Sequence, residues 1–546
     1  MARVIPLGGL GEIGLNAMVF EVGGERLLVD AGLMFPGPEA PGVEILVPDF
    51  SYLGEGPPLR ALVLTHAHED HIGAVPSLLR QQPVPVYGTR LTLGLLAERL
   101  EELGLEASLH ELVPGERLRL GDAVELEAFR VTHSLPDSVG LVLHTPAGVL
   151  VHTGDFKLDD APLDGRPTDL RRLAELGDRG VLCLLSDSTN AEVEGETPPE
   201  RTVAATFERL LPSIPGRVLV AMFSSQLHRV QHLLDLCHRL GRRVVVAGRS
   251  MLRNVEVARR LGILRIPEGL LVEPEASDSL PAARVCILTT GAQGEPMSAL
   301  AQMLQPETPG LRVRAGDTVL LSSRTIPGNE RAVSGLINAL VAAGARVVHA
   351  GIEPLIHVSG HAARAQQQRM LELVRPHAFV PIHGELRQLA AHLEVARMAG
   401  VAADQRLLLH DGDVLDLTSG HGRLSGTVRA GRVAQGRAGG GEVDPDALAD
   451  RRRLGQGGVV AAALALGKDG RTFVGPPRLS GRGLTRDENQ VLLDSAEEVL
   501  AQLEALSPAL RADDALLRDE VIRVVRGIFR ERTGRRPLVL PLLLKL

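Results

Sequence analysis

Residues 62–75, LVLTHAHEDHIGAV, place three histidines and one aspartate within six positions directly after an apolar run. The apolar run predicts a buried strand. Alternate side chains of an extended segment share a face, so His66 and His68 can bind one metal ion. Asp70 and His71 follow where the chain turns into a helix, and they can face a second ion in the same cleft. The pattern therefore predicts a two-metal site at the end of a strand.

Such a site needs further ligands, because a catalytic centre uses about three protein ligands per ion. Three candidates each end an apolar run: His133 in RVTHSLPDS, Asp155 in VHTGDFK and His383 in FVPIHGE. Strand ends meet at one edge of a sheet, so we expect these side chains to join the site. His152 is a candidate for orienting a ligand. With only three cysteines, all widely separated, a thiolate site of CxxC type is excluded.

Length and charge narrow the class of protein. A chain of 546 residues is too long for one core and predicts two or three domains. No apolar run reaches the roughly 18 residues of a membrane span, and the N-terminus lacks the features of a secretory signal, so we expect a cytoplasmic protein. The net charge of −8 argues against a uniformly basic nucleic-acid-binding surface but leaves room for a local positive channel.

The order of apolar strands and amphipathic helices predicts a mixed α/β protein with an insertion. A regular strand and helix alternation in the middle of the chain indicates a second, parallel α/β unit. After it, AFVPIHGE and the helix that follows resume the pattern of the front part. The predicted divisions are a first domain from 1–200 and 355–424, an inserted domain at 201–354, a Gly- and Arg-rich linker at 425–452, and a C-terminal domain at 453–546.

Several motifs together resemble a known family. Asp30 in LLVDAG, the HAHEDH box and the later strand-end ligands resemble the metallo-β-lactamase superfamily. The inserted unit, with Asp187 in LLSDSTN and His361 in HVSGHA, resembles its β-CASP branch, whose members cut nucleic acids. The segments LGGLGEIGLN, TTGAQGEPMSAL, SSRTIPGNE and HVSGHA resemble the bacterial ribonuclease J family over essentially the whole chain. This implies a metallo-β-lactamase αββα sandwich with an inserted β-CASP α/β domain and a small α+β C-terminal domain.

The resemblance also implies roles for the metal-site residues. The expected cofactors are two divalent ions per chain, Zn²⁺ or Mn²⁺, which activate a water for attack on a phosphodiester. Asp30 is expected to support the ligands, and the predicted catalytic residues are Asp70, Asp187 and His361. His361 would contact the scissile phosphate and protonate the leaving oxygen, with Asp187 assisting. The implied ligands are His66, His68 and His133 for one ion, Asp70, His71 and His383 for the other, and Asp155 as the bridge.

Two segments are candidates for binding RNA phosphates. Ser225 and Gln226 precede a predicted helix, whose backbone N–H groups favour an anion, and His228 and Arg229 are nearby candidates. The glycine-containing segment IHVSGH, residues 356–361, suits close approach of a phosphate. Its predicted phosphate-binding residues are His357, Val358, Ser359, Gly360 and His361.

The function implied by the resemblance is 5′→3′ exoribonuclease activity on single-stranded RNA with a 5′ monophosphate, with endoribonuclease activity, in rRNA maturation and mRNA decay. A homodimer through the C-terminal domain is expected, and RNA-degradation proteins are candidate partners. One alternative is a hydrolase of a small ester or thioester, because the same metal box serves that chemistry. The inserted unit and the 357–361 segment argue against it. The other alternative is a non-catalytic RNA-binding scaffold.

Overall fold

The structure is a computed structural model that describes residues 1–37, 40–305, 311–326, 328–418, 420–436 and 441–546. It divides into a larger unit, Met1–Met34 with Val47–Arg432, and a smaller unit, Phe35–Leu46 with Val433–Leu546. Pro327 of the SSRTIPGNE motif and residues 437–440 of the predicted linker lie outside the described residues. Among the described residues, no helix combines the length and apolar character of a transmembrane span.

The front of the chain is rich in strands. Its helices are α1 (Glu69–Ile72), α2 (Val75–Gln81), α3 (Arg90–Glu102) and α4 (Leu170–Arg179). Its strands are β1 (Ala2–Gly8), β2 (Leu10–Gly11), β3 (Ala17–Val22), β4 (Glu25–Val29), β5 (Ile45–Pro48), β6 (Leu59–Val63), β7 (Val86–Gly88), β8 (Leu109–Glu111), β9 (Arg117–Leu120), β10 (Val124–Arg130), β11 (Val139–Thr145), β12 (Gly148–His152) and β13 (Cys183–Asp187).

The middle of the chain alternates strands with helices, as predicted. Its elements are α5 (Glu200–Leu210), β14 (Val218–Ala221), α6 (Leu227–Arg239), β15 (Arg243–Ala247), α7 (Arg249–Arg260), α8 (Pro274–Ser277), β16 (Val285–Thr289), α9 (Ala299–Met303), β17 (Thr318–Leu321), α10 (Glu330–Ala342) and β18 (Arg346–Val348). The five strands form one parallel sheet in the order β15-β16-β14-β17-β18. Apolar residues cover both of its faces, as a parallel sheet requires.

The chain then returns to the first domain. The returning elements are α11 (Arg364–Val374), β19 (Ala378–Ile382), β20 (Gly384–Glu385), α12 (Leu386–Met398), β21 (Asp413–Thr418) and β22 (His421–Thr427). β19 pairs in parallel with β13, and the ladder sets Asp187 opposite Ile382. The residue after Ile382, His383, therefore lies at the same sheet edge as Asp187.

The first domain is a sandwich of two sheets. The sheet orders are β22-β21-β1-β3-β4-β6-β7-β8 and β19-β13-β12-β11-β10-β9. Their inner faces share one core, in which Phe20 and Val63 pack with Leu141 and Val380. The outer face of the six-stranded sheet packs against α4, α11 and α12. This arrangement confirms the predicted metallo-β-lactamase sandwich with an inserted α/β domain.

The smaller unit has its own core. Its elements are β23 (Arg432–Gln435), α13 (Pro445–Gly457), β24 (Val459–Leu466), β25 (Arg478–Arg482), α14 (Arg486–Asp494), α15 (Ala496–Glu504), α16 (Pro508–Ala512), α17 (Asp514–Thr533) and β26 (Leu538–Lys545). The sheet β25-β24-β26 packs against its helices, which confirms the α+β expectation. The predicted boundary at residue 452 falls inside α13, and the domain boundaries themselves stay predictions.

Candidate metal centre

The ends of three strands bring His66, His68, His133 and Asp155 into one group. Nδ1 of His68 lies 3.0 Å from Nε2 of His66 and 3.2 Å from Nε2 of His133. Oδ2 of Asp155 lies 3.6 Å from Nε2 of His66 and 3.9 Å from Nε2 of His133. Ligands about 2.0–2.1 Å from a tetrahedral zinc ion stand roughly 3.3 Å apart. The four ligand atoms therefore fit around one such ion.

A second group contains Asp70, His71, Asp155 and His383. Oδ2 of Asp70 lies 3.2 Å from Nε2 of His383 and 3.7 Å from Nε2 of His71. Oδ2 of Asp155 lies 3.2 Å from Nε2 of His71 and 3.7 Å from Nε2 of His383. The same Asp155 oxygen thus borders both groups. All seven residues predicted as ligands lie together, and their assignment to particular ions stays a prediction.

The titration behaviour of the histidines differs between the two groups. In the first, burial lowers the pKa of His66 and His133 well below the usual range and that of His68 to about 4. These rings are neutral and offer lone pairs to a metal. In the second, burial opposes protonation, but several carboxylates together outweigh it. Asp155, Asp30 and Asp70 raise the pKa of His71, and Asp155, Asp70 and Asp187 raise that of His383 to about 9. The carboxylates around the second group therefore favour the protonated, positively charged forms of His71 and His383.

Asp155 is 2% exposed at the centre of both groups. Burial alone would raise the pKa of its carboxyl group, but His383, His71 and His66 hold that pKa well below its usual value. The carboxylate is therefore ionised and surrounded by nitrogen ligands. A buried carboxylate without a cationic partner is costly, which makes this donor set well suited to divalent cations.

Hydrogen bonds from neighbouring segments orient the ligand rings. Oδ2 of Asp30 lies 2.7 Å from Nδ1 of His71, so Nε2 of that ring faces the ligand group. Asp30 also accepts bonds from the backbone N–H and the hydroxyl of Thr65, each at 2.8 Å. Nδ1 of His133 lies 2.9 Å from the carbonyl oxygen of Gly360. These contacts are of the kind that fix the tautomer and direction of a metal-binding histidine.

Gly360 meets a steric requirement of the site. A Cβ atom at this position would lie 2.8 Å from Cε1 of His133 and 2.9 Å from Cβ of Ser134. The backbone of Gly360 thus contacts a ring predicted to bind metal, and any larger residue would displace that ring. Close approach of a phosphate at this glycine stays a prediction.

Asp187 and His361 form a pair next to the second ligand group. Nδ1 of His361 lies 2.8 Å from Oδ2 of Asp187. Burial opposes protonation of His361, but the charge and hydrogen bond of Asp187, together with the charge of Asp155, outweigh it and raise the pKa of that histidine. Asp187 is completely buried and also accepts a 2.7 Å bond from the hydroxyl of Thr189. The pair can hold a proton beside the cluster, which agrees with the predicted acid role.

The residues predicted to bind phosphate separate into several environments. The hydroxyl of Ser225 lies 3.0 Å from Nε2 of His68. Gln226 is buried at the N-cap of α6, and His228 lines a cavity with His133 and Lys157. In the 357–361 segment, Val358 is buried and packs in the core of the inserted domain. Ser359 accepts hydrogen bonds from Asn190 and from the backbone of His361.

Arg229 is not available to a phosphate. Its guanidinium is 1% exposed and donates to both carboxylate oxygens of Glu200, at 2.7 and 3.0 Å. It also donates to the carbonyl and hydroxyl oxygens of Ser322, both at 3.0 Å. One of its nitrogens lies 3.2 Å from Nδ1 of His357. The sequence interpretation of Arg229 as a candidate for the anion pocket was wrong, because this network uses the group internally.

Three polar residues that support the site had no role in the sequence analysis. Thr189 lies 2.8 Å from Nδ1 of His383, and the side chain of Asn190 donates to the carbonyl of His361 at 2.9 Å. The side chain of Asn16 donates to the carbonyl of Asp70 at 2.9 Å. For Thr189 and Asn190 a signal existed in the run SDSTN, because five polar side chains directly follow the apolar part of a buried strand.

Models of four protein families match successive parts of the chain. These are the beta-lactamase superfamily domain at residues 25–172, the ribonuclease J beta-CASP domain at 215–340, the Zn-dependent metallo-hydrolase RNA specificity domain at 346–403 and the ribonuclease J C-terminal domain at 446–546. The zinc-dependent description agrees with the ligand groups above.

Relatives match over nearly the whole chain. Ribonuclease J of Mycobacterium tuberculosis is 41% identical, covering 99% of this chain and 96% of the relative. Ribonuclease J of Thermus thermophilus is 39% identical, covering 100% and 95%. A crystal structure of a protein of unknown function from Enterococcus faecalis V583 shares the fold alone, with a TM-score of 0.52 at 14% identity over 78% of this chain and 100% of that one. The chain belongs to the ribonuclease J family.

Proposed function

We propose that this chain is a metal-dependent ribonuclease that removes nucleotides in the 5′→3′ direction from RNA with a 5′ monophosphate, and that also cuts internally. The observation that carries the proposal is the position of Asp155, whose Oδ2 borders both ligand groups and lies 4.0 Å from Nδ1 of His361. Two cation sites and a candidate proton donor therefore converge on one volume. Hydrolysis of a phosphodiester by two metal ions requires these two cation sites, and a proton donor assists the leaving oxygen.

The proposed reaction gives separate roles to the metal ligands, to Asp30 and to the pair of His361 and Asp187. When bound, two divalent ions, Zn²⁺ or Mn²⁺, supply an activated water and neutralise charge on the phosphate. The seven ligand residues hold these ions, and Asp30 keeps the ring of His71 in the required direction. His361 holds a proton beside the cluster and delivers it to the leaving 3′ oxygen. Asp187 keeps His361 protonated and in place.

The preference for a 5′ monophosphate rests on Ser225 and Gln226. Both precede α6, whose first turn directs backbone N–H groups outwards. Ser225 can accept a bond from Nε2 of His68 and still donate its own proton to a phosphate oxygen. A terminal monophosphate carries about two negative charges, whereas a hydroxyl end carries none. Because cleavage with a 3′ oxygen as leaving group regenerates a 5′ phosphate, successive cuts follow in one direction.

Hydrolysis of a small ester or thioester is the weaker alternative. The inserted domain places Ser225 within 3.0 Å of the ligand ring of His68. It also supplies Arg229, which contacts His357. A small substrate would not need a second domain in contact with the ligand shell.

An enzyme that turns over ribosomal and messenger RNA would act in the cytoplasm, together with other proteins of RNA degradation.

The smaller unit carries a surface suited to self-association. Leu540, Leu542 and Leu544 alternate along β26 and are 47%, 52% and 56% exposed. β26 is an edge strand of its sheet, so its backbone groups are also open to pairing. Exposed apolar rows of this kind mark interaction sites. We propose that this row contributes to a homodimer, and sedimentation of a Leu542→Glu variant would detect its loss.

The test of the function uses one RNA sequence, labelled at its 5′ end and prepared with a monophosphate, a triphosphate or a hydroxyl. Each is incubated with the protein loaded with Mn²⁺ and then with Zn²⁺. Labelled mononucleotide released first from the monophosphate RNA supports the proposal, and internal fragments report the endonuclease activity. No cleavage of any RNA, with hydrolysis of a thioester instead, would favour the alternative.

A further inference from the structure

The strand order of the inserted sheet predicts a crevice between two of its strands. In the order β15-β16-β14-β17-β18, the chain leaves β14 toward one side of the sheet and leaves β17 toward the other. The loops after these adjacent strands therefore diverge, and ligands of open parallel sheets bind where such loops diverge at the carboxyl edge. The first loop carries Ser225, and the second contains residues 322–326. A 2.8 Å bond from the N–H of Ser322 to the carbonyl of Ala221 holds the two loop starts together.

The second loop is fixed by one buried amide. Gln293 is 2% exposed, and its Nε2 donates to the hydroxyl of Ser323 at 3.0 Å and to the carbonyl of Arg324 at 2.8 Å. Its Oε1 accepts from the backbone N–H of Ile326 at 2.9 Å. One side chain therefore restrains the loop at Arg324 and at the residues on either side of it.

The restrained loop borders the 357–361 segment. The hydroxyl of Ser322 donates to the carbonyl of Ile356 at 2.7 Å, directly before His357. Arg324 is exposed, and within the described part of the chain its side chain has no ion-pair partner. Its positive charge is close enough to make a small contribution to the lowered pKa of His357, after burial, Arg229 and Lys157. An unpaired guanidinium thus lies on a preorganised backbone beside the predicted RNA path.

We propose that Arg324 binds a phosphate of the RNA backbone in this crevice, and that Gln293 is the positioning residue that holds its loop. This inference rests on the proposed ribonuclease function and deepens it. A guanidinium offers paired donors that match two phosphate oxygens, and its charge releases counterions from the RNA. Binding of the backbone requires no particular base, which suits an enzyme that must process many sequences.

The test measures affinity for a single-stranded, 5′-monophosphate RNA with cleavage-resistant phosphorothioate linkages at several salt concentrations. Arg324→Gln should bind about tenfold more weakly, and the slope of log affinity against log salt should fall by about 0.7. Arg324→Lys should keep the slope. The matched control is Arg346→Gln, which removes an exposed arginine at the amino end of β18, the opposite edge of the same sheet. It should bind like the wild type.

Gln293→Leu separates positioning from charge. Gln293→Leu should weaken RNA binding about as much as Arg324→Gln does, although Arg324 is intact. The double variant, Gln293→Leu with Arg324→Gln, should bind RNA no more weakly than the weaker of the two single variants. Melting temperatures confirm folding. Wild-type affinity and slope in Arg324→Gln, or an equal loss in Arg346→Gln, would overturn the inference while leaving the ribonuclease function standing. Absence of RNA binding by the wild type would instead overturn the proposed function, and the inference with it.

Discussion

The hydroxyl oxygen of Ser225 lies 3.0 Å from Nε2 of His68. Nδ1 of the same ring faces His66 and His133 in the first ligand group. One imidazole therefore connects the inserted domain to the candidate metal centre. A residue proposed to sense the 5′ phosphate also touches a proposed metal ligand, so end recognition and metal binding are neighbouring functions of one ring.

Replacing Ser225 by Asp should reduce exonuclease activity more than internal cleavage. A carboxylate at this position would repel a 5′ phosphate, whereas internal cutting needs the metals and the segment around His361. We expect at least about a tenfold loss of mononucleotide release, the size of one lost charge-assisted hydrogen bond. The measurement is the ratio of mononucleotide to internal fragments, with metal content determined alongside. An equal loss of both activities would contradict the end-sensing role.

The double change Asp70→Ala and His71→Ala should remove the second ion and abolish cleavage. Both residues are proposed ligands of that ion, whereas Asp155 would still serve the first group. Metal analysis should show the stoichiometry per chain reduced by one ion, with an unchanged circular dichroism spectrum. His410→Ala is the control, because that side chain is 71% exposed and outside both groups. Unchanged stoichiometry would refute the assignment.

Asp30→Asn should weaken metal binding without unfolding the domain. Asn tolerates the positive φ of 61° at this position and can still accept the bond from the N–H of Thr65. The change removes the negative charge that orients His71, and losses of such supporting groups weaken metal affinity by about 10–100-fold. Competition with a chelator measures this affinity. Wild-type affinity in the variant would show that Asp30 does not support the site.

Arg229→Met should strongly destabilise the larger unit. The change leaves the buried Glu200 without its partner, and a broken buried pair costs about 3–5 kcal/mol in the free energy of unfolding. Adding Glu200→Gln should recover part of this loss, because the unpaired charge is then absent. Urea unfolding gives the comparison, and the neighbouring exposed Arg201→Met serves as control. A loss in Arg201→Met as large as in Arg229→Met would argue against the pairing.

Asp411→Asn should change how stability depends on pH. Burial, followed by the charge of Glu12, raises the pKa of Asp411 to about 7. The unfolded chain releases this proton near pH 4, whereas the folded protein keeps it until about pH 7, so this group makes the wild type less stable as pH rises between those values. The variant lacks this loss and should melt higher than the wild type at pH 8 but not at pH 4. Parallel melting curves across this range would contradict the prediction.

Much of the candidate centre was predictable because its residues end buried strands. His133, Asp155 and His383 each follow an apolar run, and neighbouring strands necessarily bring their ends to one edge. The family resemblance added Asp187 and His361, which local pattern alone would not have paired across 174 positions. The inserted α/β unit followed from the strand and helix alternation, and the sandwich followed from the family resemblance.

Other contacts depend on packing that no local pattern encodes. Arg229 was a candidate for the anion pocket, but Glu200 and Ser322 meet it from two other segments. The close approach of a phosphate at Gly360 stays a prediction, and the ring of His133 adds a steric constraint that the sequence does not reveal. In each case the deciding neighbour is distant in sequence, and its position is set by how the inserted domain packs on the sandwich.

The parallel pairing of β13 with β19 also bears on how the protein is made. These adjacent strands flank the insertion, and His383 follows the second of them. During translation, the predicted ligand set is therefore incomplete until the entire insertion, β19 and His383 have left the ribosome. A nascent chain, still tethered to its own messenger RNA, lacks a finished centre. Because of this order of segments, the chain cannot form the proposed metal centre, and so cannot cleave RNA, until synthesis is well past its midpoint.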